Sequence, residues 1–265
     1  MPQTDNRKIE FRKYPDILGL SYVCGKDINH SFQRHVHSTC CINITLKSNR
    51  GSSRPGYYGC VKAGDIEIIN PGEPHELFPW EGNLYSYQVL CFDISKYFSQ
   101  IPEFLPGPIK DQLLLRKICQ LGQYSVEKFS LIEIEEKLLN IIEHLMIYRK
   151  FNKSSVPTCN MRVVNKAKVY LEENYARNIS IQQLSREIGL SPYHLIRVFK
   201  NQVGLSPHEY MNNYRIRQAR IMLEDGKRLV EAAMMTGFVD QAHFSRCFKK
   251  IMGVPPGYYV KSYKR

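Results

Sequence analysis

Apolar residues change their period along this 265-residue chain, and the change divides it in two. In the first hundred positions they come as short, partly alternating runs at 18–23, 41–46, 65–69 and 85–92. Runs of that length, parted by clusters such as Asn70-Pro71-Gly72-Glu73-Pro74, predict β-strands of a small barrel or sandwich. From about 128 to 150 the spacing turns helical: Leu131, Ile134, Leu138, Ile141, Leu145 and Tyr148 keep a 3-4-3-4-3 rhythm. That rhythm is the seam of a coiled coil, while a second row (Ile132, Leu139, Ile142, Met146) widens the apolar face. One row can face the helix's own domain and the other a partner subunit, so a homodimer contact is expected here. Residues 151–158, polar and holding Pro157, read as a linker between domains 1–156 and 157–265.

The last hundred residues contain one unit twice. The first copy runs Gly189-Leu190-Ser191, Leu195, Arg197-x-Phe199-Lys200, Gly204-Leu205-Ser206-Pro207 and Tyr210. The second runs Gly237-Phe238-Val239, Phe244, Arg246-x-Phe248-Lys249, Gly253-Val254-Pro255-Pro256 and Tyr259, at an offset of 48 that becomes 49 past the turn. In the first copy a short helix from Ser180 ends at Gly189, and Ser191-Pro192 then starts another. Serine caps free amides, and proline at the first helical position has no N–H to leave unpaired. Helix, glycine turn, capped helix is the arrangement that places a second helix in the DNA major groove. Between the copies, the stretch from Pro207 to Leu223 has helical periodicity. At 1.5 Å per residue it is a rod of roughly 25 Å, enough with its flanking units to reach two successive grooves, ~34 Å apart.

Charge changes the picture in the same direction. The chain has a net charge of +12, of which the part after Val156 carries +10 with 18 basic and 8 acidic residues. A basic excess confined to the repeated half is what phosphate neutralisation requires, so double-stranded DNA is the expected partner. Leu184, Ile188, Leu195 and Phe199 are expected core, as are Phe244 and Phe248. The surface candidates for DNA contact are Tyr193, His194, Ile196, Arg197 and Lys200, then Asp240, Gln241, His243, Arg246, Lys249 and Lys250. Arginine and glutamine reach base edges in bidentate fashion, whereas lysine normally meets phosphate.

A hydrophobic content of 43% is that of a globular protein. No apolar stretch is long enough to span a bilayer, and no signal core follows Met1, so the expected location is cytoplasmic. Eight cysteines without Cys-x-x-Cys spacing read as reduced thiols, mostly core filler.

The second unit, Gly237-Phe-Val-Asp-Gln-Ala-His-Phe-Ser-Arg-Cys-Phe-Lys-Lys-Ile-Met-Gly253-Val-Pro-Pro-x-x-Tyr259, resembles the signature of the AraC/XylS family of bacterial transcription regulators. Leu190-Ser-Pro-Tyr-His-Leu-x-Arg-x-Phe-Lys and Arg215-Ile-Arg-Gln-Ala-Arg220 fit the same family. Arg34-His35-Val36-His37 and Gly64-Asp65 with Asn70-Pro71-Gly72-Glu73-Pro74-His75 resemble, more loosely, its cupin-type sensor domain. The resemblance implies an α+β two-domain chain: an N-terminal cupin-like β-barrel with flanking helices, then an all-α double helix-turn-helix. It implies a regulator, most often an activator and commonly a dimer, that couples a small-molecule effector to promoter binding, with RNA polymerase as a partner and no catalytic residues.

His35, His37 and His75 are the expected ligand-orienting residues at the barrel mouth. Metal-binding cupins also carry a glutamate shortly after the His-x-His, where this chain reads Ser38-Thr39-Cys40-Cys41. His35, His37, Cys40, Cys41 and His75 are therefore the candidates for a soft His/Cys metal set. A metal sensor, a thiol sensor using Cys24, Cys40, Cys41 or Cys60, and a metal-dependent cupin enzyme stay open as alternatives. The basic arm Arg7-Lys8-Ile9-Glu10-Phe11-Arg12-Lys13-Tyr14 can fold over the barrel mouth or fray.

Overall fold

Alternation in the N-terminal half becomes sheet wherever a second strand can cover one face. The computed structural model describes residues 9–14, 17, 19–98, 100–122, 131–150 and 159–263. The linker expected at 151–158, the start of the helix at 128–130, and Arg7 and Lys8 of the arm lie outside them. The chain forms two units, 1–31 with 37–152, and 32–36 with 153–265.

In the first unit the arm is a strand. β1 (Ile9–Tyr14) pairs antiparallel with β2 (Leu20–Ile28), from Ile9 opposite Gly25 to Tyr14 opposite Leu20. With β4 (Cys40–Lys47), β7 (Ile66–Ile69) and β9 (Tyr85–Phe92) they form one sheet in the order β1-β2-β9-β4-β7. Within the same unit β8 (His75–Pro79), β5 (Arg50–Arg54) and β6 (Tyr57–Val61) pair in that order as a second sheet.

Period two splits the residues of the large sheet by face. Tyr22, Cys40, Ile42, Ile44, Ile66, Ile68, Leu90 and Phe92 pack on one side with α1 (Gln112–Leu121) and α2 (Leu131–Leu145) in a continuous core. That core corrects the dimer seam. Ile134, Leu138, Ile141 and Leu145 are fully buried in it, so the 3-4 rhythm records the helix's own domain contact. Charged residues at Leu138 and Leu145 would unfold the unit rather than release monomers. Leu131 and Leu139 are the exposed members among the described side chains of the two rows.

Asp111 ties the two helices together. Its Oδ1 accepts from the Leu114 amide at 2.8 Å, capping α1, while Oδ2 accepts from the Tyr148 hydroxyl and pairs with His144 Nε2. Burial pushes its carboxyl up, but the Leu114 amide, Tyr148 and His144 together hold it below the ordinary value. A carboxylate depressed by folding stabilises above its unfolded pKa, and that contribution is lost as pH falls through the folded one. The first unit should therefore lose stability below about pH 4. In Asp111→Asn that acid-side loss should shrink, as followed by circular dichroism against pH.

The second unit is built on a repeated frame. α3 (Cys159–Glu173), α4 (Ile181–Ile188) and α5 (Pro192–Val203) form the first helix-turn-helix with its leading helix. α6 (Pro207–Glu224), α7 (Leu229–Met235) and α8 (Gln241–Met252) form the second, and α9 (Pro256–Tyr263) closes it. The repeat extends to tertiary contacts. Phe199 meets Tyr210 edge-on at 5.6 Å, and Phe248 meets Tyr259 edge-on at 5.5 Å. Tyr210 and Tyr259 then donate their hydroxyls to Glu172 and Glu224, on the leading helix of each copy. The expected core residues Leu184, Leu195, Phe199, Phe244 and Phe248 are buried.

Two features tie the copies together. Arg215 of α6 donates from Nε to the Tyr175 carbonyl at 2.7 Å and from Nη2 to the Arg177 carbonyl at 2.8 Å. Gly237, at φ +77°, brings the α7–α8 turn so close that an added Cβ would lie 2.5 Å from the Ala176 carbonyl oxygen. Both the left-handed backbone and this approach exclude a side chain, so Gly237→Ala should cost roughly 2 kcal/mol or more in denaturant unfolding of this unit. The segment from Phe32 to Val36, including β3 (Phe32–His35), belongs to this unit although it lies far upstream in the sequence. Phe32 covers Gly253, and the Val36 amide donates to Asn213 Oδ1 at 3.3 Å.

Candidate functional site

The expected DNA-facing helices start and stop as local chemistry dictates. Ser180 and Gln183 form a reciprocal capping box at the start of α4, and Gly189 ends it at φ +77°. Ser191 caps α5 by accepting from the His194 amide, with Pro192 at the first helical position, and Gly204 closes it in the left-handed conformation. In the second copy Asp240 caps α8 by accepting from the His243 amide at 2.6 Å, and Gly253 closes it.

The buried faces of α5 and α8 leave matching exposed ones. Tyr193, His194, Ile196, Arg197 and Lys200 are all exposed on α5. On α8 Gln241, Arg246 and Lys250 are exposed, while His243 and Lys249 are half-buried. His194/His243, Arg197/Arg246 and Lys200/Lys249 occupy equivalent positions of the two copies, three residues apart in each. Two of the surface candidates have structural duties. Asp240 is committed to its cap, where the His243 amide, with further help from Arg246, keeps its carboxyl below the ordinary value. The His243 ring packs edge-on against Phe238 at 5.4 Å. Asn201, exposed one turn beyond Arg197 and equivalent to Lys250, joins the face, though neither its charge nor its size singled it out in the sequence.

In the first unit the sheets face each other across a polar interior. Arg50 of β5 and Glu67 of β7 pair at 2.7 Å, both side chains wholly buried. Around them Asn43 Oδ1, Thr45 Oγ1, Ser52 Oγ, and Nε and Nη1 of Arg50 have no hydrogen-bond partner. Buried polar groups left in that condition cost about 1–3 kcal/mol each unless something satisfies them. Phe11, Ser21, Val23, Val89 and Cys91, on the same inner face of the large sheet, are only half-buried. The inner side of the large sheet thus carries partly accessible side chains beside buried polar groups that lack a partner.

A turn beside that interior sets the histidines of the first unit. Arg54 pairs with Glu73 at 2.9 Å and donates to the Ile68 carbonyl at 2.6 Å; Glu73 also accepts from the amide and side chain of Asn70. The Gly72 amide donates to the His37 carbonyl at 2.7 Å. His75 and His37 come together with ring centroids 5.0 Å apart, and His75 Nδ1 lies 3.0 Å from the Glu73 carbonyl. A proton on that Nδ1 leaves Nε2 as acceptor. His35 belongs to the segment that groups with the helical unit; burial lowers its pKa to about 4, so it is neutral, and its Nδ1 meets the Gln33 carbonyl at 2.7 Å. The mixed His/Cys metal set is corrected here. Adjacent residues of a strand point to opposite faces, so Cys40 is in the core beneath the helices while Cys41 packs against Cys91.

Comparison with known proteins agrees with this arrangement. Residues 184–262 match the family described as a helix-turn-helix domain. The probable transcriptional regulator LumQ of Photobacterium leiognathi is 30% identical over 241 residues, covering 88% of this chain and 93% of that protein. The chain belongs to the AraC/XylS family of transcription regulators. The arabinose operon regulatory protein of Escherichia coli is 27% identical over 81% of this regulator and 78% of its own length. Among solved structures, a single-residue variant of apo ToxT from Vibrio cholerae shares the fold, with a TM-score of 0.62 and 13% identity over 95% of this chain and 99% of that one. The regulator is a DNA-binding protein with a β-rich N-terminal part and a helical DNA-binding part. No helix among the described residues is long and apolar enough to cross a membrane.

Proposed function

We propose that this regulator activates transcription by laying α5 and α8 into two successive major grooves on one face of its operator. The observation that carries this reading is the repeated frame: Arg197 and Arg246 stand exposed at equivalent positions on helices capped and terminated alike. α6, at 18 residues, is a spacer of about 27 Å between the copies. Arg197 and Arg246 read guanine edges, and Lys200, Lys249 and Lys250 meet phosphates. Genome-wide DNA footprinting tests the reading. It should return sites with two conserved clusters about 10 bp apart, upstream of genes whose transcription falls when the regulator is deleted. Binding no stronger than to random DNA at physiological salt would refute it.

The effector occupies the interior of the first unit, where Arg50, Glu67, Asn43, Thr45 and Ser52 supply its polar contacts, with His37 and His75 at the edge. One Vibrio cholerae ToxT structure holds an unsaturated fatty acid, and the Escherichia coli relative is named for the arabinose operon. The unpartnered donors and acceptors here favour a small uncharged molecule bearing several hydroxyl or carbonyl groups, since the charge of Arg50 is already balanced by Glu67. Leu131 and Leu139, exposed on α2, supply a homodimer contact, and RNA polymerase is the partner at the promoter. Its place of action is the cytoplasm.

A further inference from the structure

The two central strands of the large sheet bring Cys41 and Cys91 directly opposite each other, in the register that pairs β4 with β9. Opposed residues of an antiparallel pair have Cα atoms about 4.5–5.5 Å apart, inside the roughly 4.4–6.8 Å that disulfides span. Both side chains lie on the inner face of the sheet, and their Sγ atoms are 2.6 Å apart. Cys41 is fully buried and Cys91 half-buried, so one thiol of the pair is open to small molecules entering the interior. The neighbouring Cys40 cannot take part, because its side chain lies in the core on the opposite face.

We propose that Cys41 and Cys91 form a reversible, peroxide-driven disulfide, a modification site built into the wall of the interior. Cys91 Sγ, as thiolate, attacks one oxygen of hydrogen peroxide; the O–O bond breaks, and hydroxide leaves and is protonated to water. The product is a sulfenic acid at Cys91. Cys41 Sγ then attacks Cys91 Sγ, the S–O bond breaks, and the second oxygen leaves as water with the Cys41 proton. Two thiols lose two electrons and two protons, and one peroxide becomes two waters. Burial, with Cys91 alongside, pushes the Cys41 thiol well up, so it is not the group that meets peroxide; its part in the second step rests on its Sγ already touching Cys91 Sγ, with its proton leaving with the departing oxygen. The bridge ties the two middle strands together across the surface that the effector would touch. This inference stands on the strand register and does not depend on which effector binds or on how DNA is read.

The test uses the reduced full-length protein, equimolar hydrogen peroxide, alkylation after unfolding, and peptide mass mapping. The thiol count of eight should fall by two, with one cross-linked peptide pair containing Cys41 and Cys91 that dithiothreitol reverses. In Cys41→Ser the sulfenic acid should persist at Cys91 and be captured by dimedone; in Cys91→Ser, Cys41 should stay alkylatable. The proposal is overturned if Cys41 alkylates after peroxide as fully as before. It is equally overturned if Cys41 bridges another cysteine just as readily in Cys91→Ser. Wild-type mapping alone decides the main point if either variant fails to fold.

Discussion

Glu67→Ala should cost the first unit about 3–5 kcal/mol, because it strands the wholly buried Arg50 guanidinium without its counter-charge. Against the roughly 5–15 kcal/mol of net stability typical of a domain, that is enough to leave much of the protein unfolded at growth temperature. Denaturant unfolding followed by circular dichroism reads the loss directly. The paired replacement Arg50→Met with Glu67→Leu should recover most of the stability, since apolar residues of similar size remove both charges together. It should also abolish the response of a reporter promoter to the natural inducer while leaving basal DNA binding intact. A paired variant that still responds normally would place the effector outside the sheet interior.

The second large effect belongs to the DNA face. Arg197→Ala together with Arg246→Ala should weaken specific operator binding by roughly 2–6 kcal/mol at fixed salt, each arginine contributing about 1–3 kcal/mol. Non-specific affinity should fall far less, because Lys200, Lys249 and Lys250 still meet phosphate. Titration of labelled operator and of random DNA, side by side, separates the two. Equal losses on both DNAs would mean that the arginines contact only the backbone.

The helical half was legible in the sequence because its signals are local. Ser180, Ser191 and Ser206 cap helices within three residues of themselves, and Gly189, Gly204 and Gly253 stop helices where only a left-handed backbone turns the chain. The β-rich half was legible only in part. β4 and β9 carry enough apolar residues to show alternation, whereas β5 reads Arg-Gly-Ser-Ser-Arg, because its inward positions Arg50, Ser52 and Arg54 serve a polar interior. The polar partners of that interior come from separate strands, so no spacing along the chain could announce them. Glu67, a charge within the run Ile66-Glu67-Ile68-Ile69, and Asn43 and Thr45 within the apolar run of β4 were the visible signs.

The α2 rhythm shows the opposite failure. A 3-4 spacing defines an apolar stripe but not what covers it, and here α1 and the large sheet cover Ile134, Leu138, Ile141 and Leu145. Cys40 and Cys41 are neighbours in sequence, yet a strand sends them to opposite faces. Asp240 caps α8 as well as standing exposed, a duty that only the placed His243 amide reveals.

The central claim, that one chain reads two grooves with equivalent helices, is tested most directly by mapping base preference for the two arginine variants separately. Operator libraries randomised across the whole site and selected with Arg197→Ala or Arg246→Ala should each lose preference in one cluster only. The two affected clusters should lie about 10 bp apart, one helical turn along the same DNA face. Loss of preference at the same base pairs in both variants, or in neither, would contradict the account.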